Sequence, residues 1–332
     1  MKNRKGKTAL IILLLIIALL LILLVWQQQK KADSEKIADA GKVLSAEEKP
    51  TFLEHRGKKY QIRHGLDTVL LIGTDDIEGK AGPSPEDGNY YNYDLADFLV
   101  LLVVDNEAGT VRPIQINRDT MTEVPWLSVN GLVGGTNEEQ ICFAHTYGSG
   151  GEDSCRNTVN TVSAFLCGAP IDGYISVTMD AIPILNDLIG GVTVSLAEDL
   201  PSLGDGYTKG TAVTLKGQNA LKFVRYRDTE RTDSNMQRMG RHRQYMDAFL
   251  QQARSAVQKD ADIAYKALEK TEGTLITEMS GNAVAELTER ICDYEVLPVS
   301  TYSGTYTLGE FAEFYADEEA VWESVREAYC AS

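Results

Sequence analysis

A chain of 332 residues with 48 acidic against 32 basic side chains, net −16 at neutral pH, and 43% hydrophobic residues can build one large α/β domain or two small ones. The basic groups are unevenly placed: residues 1–31 carry six and no acid, which leaves residues 32–332 with 26 basic groups, 48 acidic groups and a net charge of −22. A field of that sign excludes a protein that grips nucleic acid through its overall electrostatics.

In chain order, residues 9–26 form an unbroken apolar run long enough to cross most of a hydrocarbon core. Lys2, Arg4, Lys5 and Lys7 precede it, so the positive-inside bias predicts a cytoplasmic N-terminus at 1–8, a transmembrane signal anchor at 9–26 and an extracytoplasmic remainder. A cleaved signal peptide ends in small residues, whereas this run ends in Leu-Val-Trp-Gln-Gln-Gln and Ala38-Asp-Ala40 lies far downstream. Residues 27–60, polar and rich in lysine and glutamate, read as a linker, and residues 61–332 as one folded domain.

Within that domain Thr68–Gly73 (TVLLIG) and Phe98–Asp105 (FLVLLVVD) read as buried strands, with a Gly-, Pro- and Asp-rich loop between them at Gly79–Tyr93. Val111–Asn117 is the expected hairpin partner of the second strand. A glycine-rich passage follows. Helices are predicted at Asn157–Leu166, Ala181–Ile189, Gly217–Tyr226, Arg238–Val257, Ala283–Cys292 and from about Asp317. Strands are predicted at Tyr174–Val177, Val192–Leu196 and Tyr294–Val299, an alternation that favours a single α/β domain. Five cysteines, Cys142, Cys155, Cys167, Cys292 and Cys330, lack the spacing of a zinc site. Their odd number leaves at least one unpaired within the chain, and Cys142 with Cys155, flanking the glycine-rich loop, is the expected disulfide.

Six of the fifteen arginines fall between Arg225 and Arg243, against the acidic trend of the chain. Guanidinium forks match phosphate oxygens, so this cluster suggests a clamp for a small polyanion; a salt-bridged surface network with Asp228, Glu230 and Asp233 is the alternative, above all for Arg231 and Arg243. Arg225 and Arg227 alternate in VRYR and would leave an extended segment on one face, while Arg238 and Arg241 share a helix face. Asp75 and Asp76 follow the first strand, and Asp94 and Asp97 precede the second. In antiparallel register these carboxylates meet at one sheet edge, where they could hold magnesium, and Arg118 in Asn-Arg-Asp-Thr arrives at an edge from the next strand.

LLIGTDD at 70–76, ADFLVLLVVD at 96–105, INRDTMTEVP at 116–125, AHTYGSGG at 144–151, PIDGYISV at 170–177, LNDLIGGVTVSL at 185–196, LKGQNALKFVRYRD at 215–228 and RMGRHRQYMDAF at 238–249 together resemble the LytR-CpsA-Psr family. The resemblance covers most of residues 65–255. It implies a single α/β/α sandwich with a mixed central sheet, and a phosphotransferase that moves a glycopolymer from a polyprenyl-pyrophosphate carrier to peptidoglycan outside the membrane. By the same resemblance Asp75 and Asp97 bind Mg2+, and Arg118, Arg225, Arg227 and Arg238 grip the pyrophosphate, with Arg241 in the same helical motif. The isoprenoid tail is expected in an apolar tunnel between sheet and helices, and Asp119 or Asp97 would take the acceptor's proton. Two positions depart from the family pattern: Leu95-Ala96-Asp97 stands where Arg-Ser-Asp is common, and Arg241-His242 where Arg-Gln is common. A polyprenyl-pyrophosphate hydrolase and a non-catalytic lipid-binding or regulatory protein are the alternatives.

Overall fold

The computed structural model describes residues 50–75, 82–83, 90–226, 234–259, 270, 274–279, 294–308 and 311–331. The predicted anchor at 9–26, the helix at 283–292, and Asp76, Arg227, Arg231 and Cys292 lie outside the described residues. Among the described residues no helix is long and apolar enough to cross a membrane.

The elements are, in chain order, β1 (Phe52–His55), β2 (Lys58–Gln61), β3 (Leu66–Thr74), β4 (Gly82–Pro83), β5 (Tyr90–Tyr91), β6 (Ala96–Asp105), β7 (Thr110–Ile116), β8 (Met121–Leu127) and β9 (Val133–Gln140). There follow α1 (Glu152–Phe165), β10 (Gly173–Thr178), α2 (Ala181–Leu188), β11 (Val192–Ser195), β12 (Ala212–Leu215), α3 (Gln218–Arg225) and α4 (Ser234–Lys259). The chain closes with β13 (Leu275–Ile276), β14 (Glu295–Val296), β15 (Gly304–Leu308), β16 (Ala312–Ala316) and α5 (Glu318–Tyr329).

Six strands form the central sheet in the order β13-β10-β3-β6-β7-β14. β3, β6 and β7 are antiparallel neighbours, while β10 joins β3 and β14 joins β7 in parallel, so the sheet is mixed as expected. The continuous apolar runs of β3 and β6 have a physical cause: both faces are covered. Leu70, Ile72, Leu99, Leu101 and Ile114 belong to a core that includes Val162 of α1 and Trp322 and Val325 of α5. Val69, Val100, Leu102, Val104 and Ile175, with the opposite parity, form a second cluster. A third, under α2, α3, α4 and the β11–β12 hairpin, holds Met179, Val194, Phe223, Tyr245 and Phe249. Each fully buried aliphatic or aromatic side chain contributes about 1.5–3 kcal/mol.

The segment read as linker is already structured from Phe52. β1 and β2 pair around Arg56 and Gly57, both at positive φ (50° and 72°), the backbone that a two-residue hairpin turn of this hand requires. Leu53 enters the core and His55 stacks on Trp322 at 4.4 Å, so the folded unit begins before Gln61. The passage before Asn157, to which the sequence assigned no element, contains the β8–β9 hairpin, and Trp126 lies against Gly134, where a Cβ would sit 1.9 Å from the indole. The expected helix at 217–226 is present, so Val224 and Arg225 of VRYR are helical rather than extended: Arg225 is the last residue of α3, whose buried Ala220, Leu221, Phe223 and Val224 follow helical spacing. The expected start of the last helix agrees with the structure, since the Asp317 side chain accepts hydrogen bonds from the backbone N–H of Glu319 (2.9 Å) and Ala320 (3.1 Å).

Candidate active site

Strand register builds the site. Thr74 pairs with Ala96 past a shift at Gly73/Thr74, and the Asp75 N–H donates to the Leu95 carbonyl at 3.3 Å, so Asp75 and Asp97 emerge at the same edge. Leu99 pairs with Ile116 between β6 and β7, and running that antiparallel register two residues outward brings Asp97 opposite Arg118. Arg118 Nη1 is ion-paired with Asp97 Oδ1, and Arg238 Nη1, from α4, reaches Asp97 Oδ2 at 2.9 Å. One carboxylate thus holds two guanidiniums, one from the sheet and one from the helix layer. Arg225 Nη2 closes the edge by pairing with Asp75 Oδ2 at 2.5 Å.

Burial differs sharply across this cluster. The side chain of Arg238 is 5% exposed and that of Arg118 11%, whereas Arg225 is 46% exposed and open to a ligand. Behind Arg118, Asp119 is buried with Oδ1 3.4 Å from the guanidinium Nε, and the Cys142 Sγ accepts from Nη2 at 3.2 Å. Burial disfavours the charge on Arg118, but Cys142, Asp97 and Asp119 outweigh it and push its pKa up. The Asp75 carboxyl is held above its ordinary range by burial, against the pull of Arg225, with Asp97 and Asp180 adding like-charge repulsion.

Asp180 is therefore a member of the site that the sequence reading did not single out. It follows β10, whose Thr178 lies beside Thr74 in parallel register, and that register is the signal that would have found it. Arg241 does not join the cluster. Its Nη1 pairs with Glu198 and its Nη2 donates to the Tyr226 carbonyl, with the guanidinium over the Tyr226 ring at 5.1 Å. Arg243 donates to Gln115 Oε1 on β7, so it ties α4 to the sheet. Asp94 stands apart, next to Gly150 and below His145 Nδ1, which lies 3.1 Å from the Asp94 carbonyl. The expected Cys142–Cys155 disulfide is absent: both are free thiols, one over Arg118 and the other 3.7 Å from His145 Nε2. Among the described residues no group of three or more His, Cys, Asp or Glu side chains is arranged as a metal cage.

An apolar cavity of about 180 Å³ lies directly behind the charged edge. Gly73 and Phe98 of the sheet, Ile182 of α2, Val224 of α3, and His242 and Tyr245 of α4 are among its walls. Phe98 follows Asp97 and Val224 precedes Arg225, so neighbouring residues serve the cavity and the cluster. Gly73 has no side chain because a Cβ there would fall 2.8 Å from that of Phe98. His242 is an apolar wall in practice: its Nε2 is 2.9 Å from the Val224 carbonyl, its ring meets Phe98 edge to face at 5.5 Å, and burial pushes its pKa down to about 3.

His145 is likewise pushed down to about 4 by burial. Both imidazoles are near 6.5 when unfolded, so the stability they contribute as neutral groups is complete above about pH 6.5 and is lost as pH falls toward their folded values. Urea midpoints measured from pH 7 to pH 5 are expected to fall with a slope approaching two protons. A flat profile would contradict the buried neutral state. The raised Asp75 and Asp247 carboxyls act with the opposite sign, at lower pH.

The fold and site define a mixed-sheet α/β protein with a guanidinium–carboxylate cluster at one sheet edge and an apolar cavity behind it. The chain belongs to the LytR_cpsA_psr family, whose model matches residues 24–318. It is 29% identical over 216 residues to the polyisoprenyl-teichoic acid–peptidoglycan teichoic acid transferase TagU of Bacillus licheniformis, covering 64% of this chain and 61% of that protein. It is 25% identical over 297 residues to the corresponding transferase TagV of Bacillus subtilis, covering 84% and 69%. The chain spans between about half and three-fifths of the length of the TagU relatives it matches. The crystal structure of B. subtilis TagV superposes with a TM-score of 0.55 at 24% identity, over 80% of this chain and 98% of that one, a likeness of fold.

Proposed function

We propose that the protein is a membrane-anchored, extracytoplasmic transferase that moves a glycopolymer from a polyprenyl-pyrophosphate carrier to peptidoglycan. The observation that carries this reading is the direct adjoining of the arginine cluster and the apolar cavity, which suits a ligand with an anionic head and an apolar tail. The substrate class comes from the relatives, named as transferases of teichoic acid between a polyisoprenyl carrier and peptidoglycan. Residues 9–26 would anchor the chain beside its lipid-linked donor.

In this reading Arg225, the most exposed arginine of the cluster, and the remaining N–H groups of Arg118 take the phosphate oxygens, a role proposed for Arg227 as well. Asp97 holds Arg118 in place from the sheet, and Arg238 holds Asp97 from the helix layer. Arg241, by gripping the Tyr226 carbonyl at the end of α3, sets the direction in which Arg225 leaves its helix. An acceptor sugar hydroxyl attacks the phosphorus that carries the polymer. The bond from that phosphorus to the bridging oxygen breaks, polyprenyl phosphate departs, and the hydroxyl proton passes to a carboxylate. Asp97, whose two oxygens hold Arg118 and Arg238, and Asp119, 1% exposed behind Arg118, are the two candidates for that carboxylate.

The donor set fits a hard divalent cation. Asp75 and Asp97 are oxygen donors at one edge, and the Asp75 carboxyl, raised by burial first and by repulsion from Asp97 and Asp180 second, is one whose ionised form a cation would favour. These two residues would hold Mg2+, which when bound neutralises charge on the leaving phosphate. Arginine side chains supply the remaining stabilisation through preorganised donors.

The test is incubation of the full-length protein with a short polyprenyl-pyrophosphate-linked saccharide and peptidoglycan oligomers, with and without magnesium, read by mass spectrometry. A magnesium-dependent phosphodiester adduct is expected. Free saccharide phosphate without adduct would replace transfer by hydrolysis, and intact bound donor would leave a lipid-binding protein.

A further inference from the structure

Cys142 lies outside the charged residues and outside the cavity, yet it touches Arg118, which pairs with both Asp97 and Asp119. It is the second residue of the short 3-10 turn Ile141–His145, and that turn is docked main chain to main chain on the loop that carries Arg118. The Ile141 N–H donates to the Thr120 carbonyl at 2.7 Å, and the Cys142 N–H to the Arg118 carbonyl at 3.2 Å. The backbone of residue 142 is therefore fixed on residue 118, and its side chain has little choice of direction. The thiol falls over the guanidinium, with Sγ 3.2 Å from Nη2. On its far side the thiol faces Gln140 Oε1 at 4.0 Å, and Gln140 Nε2 donates to the Ala312 carbonyl of β16 at 2.5 Å. A chain of contacts thus runs from the β15–β16 hairpin through Gln140 and Cys142 to Arg118.

A buried guanidinium is costly unless its donors are met. For Arg118 the carboxylates meet Nη1 and lie near Nε, and Cys142 meets Nη2, on the side that neither carboxylate covers. Without that acceptor the planar group can swing about its Asp97 contact, and its remaining N–H groups no longer keep a fixed aim. Burial keeps the thiol neutral at physiological pH by pushing it up to about 11, so it accepts through a sulfur lone pair and adds no net charge to the phosphate site.

We propose that Cys142 is a positioning residue for Arg118: its thiol fixes the rotation of the guanidinium that grips pyrophosphate. This rests on the transferase reading only in taking pyrophosphate as the ligand of Arg118. It also assigns a role to a side chain whose type alone marks it as an ordinary buried apolar residue.

The test compares wild type, Cys142→Ala and Cys142→Ser as full-length proteins, each also in an Arg118→Lys background, by calorimetric titration with inorganic pyrophosphate and by thermal unfolding. Cys142→Ala is expected to weaken pyrophosphate binding by about tenfold, the usual scale for a charged donor that loses its partner. Cys142→Ser, which keeps an acceptor, is expected to stay within about threefold of wild type. In the Arg118→Lys background Cys142→Ala is expected to add nothing, because the two residues act as one unit. A lower melting temperature with unchanged pyrophosphate affinity would overturn the proposal in favour of a packing role. The same tenfold loss in both backgrounds would overturn it as well, since the effect would not pass through Arg118. If wild type binds no pyrophosphate, the phosphate-clamp reading fails and this inference with it; if wild type binds and Cys142→Ala binds equally well, only this inference fails.

Discussion

Replacing Arg225 by alanine is expected to reduce glycopolymer transfer by about a thousandfold, within the range that preorganised cationic donors supply in phosphoryl transfer. Its stability should stay within about 0.5 kcal/mol of wild type, the usual range for a surface substitution. Arg225 can be lost cheaply because it sits half exposed at the end of α3 and has one charged partner, Asp75, itself near solvent. Arg118→Ala should lose as much activity but should also unfold more easily, by about 3 kcal/mol, because Asp97 and Asp119 are buried and lose a cation. Burial separates the two variants. Initial transfer rates and chemical denaturation of the two proteins check this. Normal transfer in both would remove the assigned site.

Asp97→Asn is expected to have the largest combined effect. The amide has the shape of the carboxylate but no charge, and its NH2 end must face one of two guanidiniums already in place. Arg118 and Arg238 would then be buried together without the carboxylate they share, a loss of about 3–5 kcal/mol by the usual cost of breaking a buried pair. Transfer should be undetectable. A second readout separates this from simple damage: inorganic pyrophosphate should raise the melting temperature of Asp97→Asn by more than that of wild type, because an anion restores the missing charge. Equal shifts in the two proteins would show that the arginines do not share a common anion site.

The charged edge was legible because its causes are local. TVLLIG, FLVLLVVD and VRPIQIN are apolar runs that end in polar residues, and antiparallel pairing of neighbours fixes which ends meet. Asp75, Asp97 and Arg118 follow from that alone. What the sequence concealed depends on contacts between distant segments. The place of β10 beside β3 in parallel arises from a crossover connection, so Asp180 could not be paired with Asp75 by spacing. Arg241 shares a helix face with Arg238 in sequence, but its guanidinium is captured by Glu198 and Tyr226, residues brought in by the β11–β12 and α3 regions. Cys142 and Cys155 looked like a pair because they flank a loop, yet the turn that starts at Ile141 and the helix that starts at Glu152 aim them at different partners. The β8–β9 hairpin carried no assignment in the sequence, and its Gly134 and Gly135 leave room for an indole.

The segment that leaves the β1–β2 hairpin and the segment that leaves α5 run side by side. Gln61 accepts from the Ala331 N–H at 3.0 Å, the Arg63 N–H donates to Tyr329 at 2.8 Å, and Ile62 bridges Cys330. They meet at the Leu66 end of β3, while the arginine cluster lies past Thr74, about 25 Å away at the rise of an extended strand. A pull applied between these two segments would therefore peel these few hydrogen bonds one at a time, with the central sheet carrying almost none of the load. Tension would fray the rear of the protein first and leave the charged edge assembled.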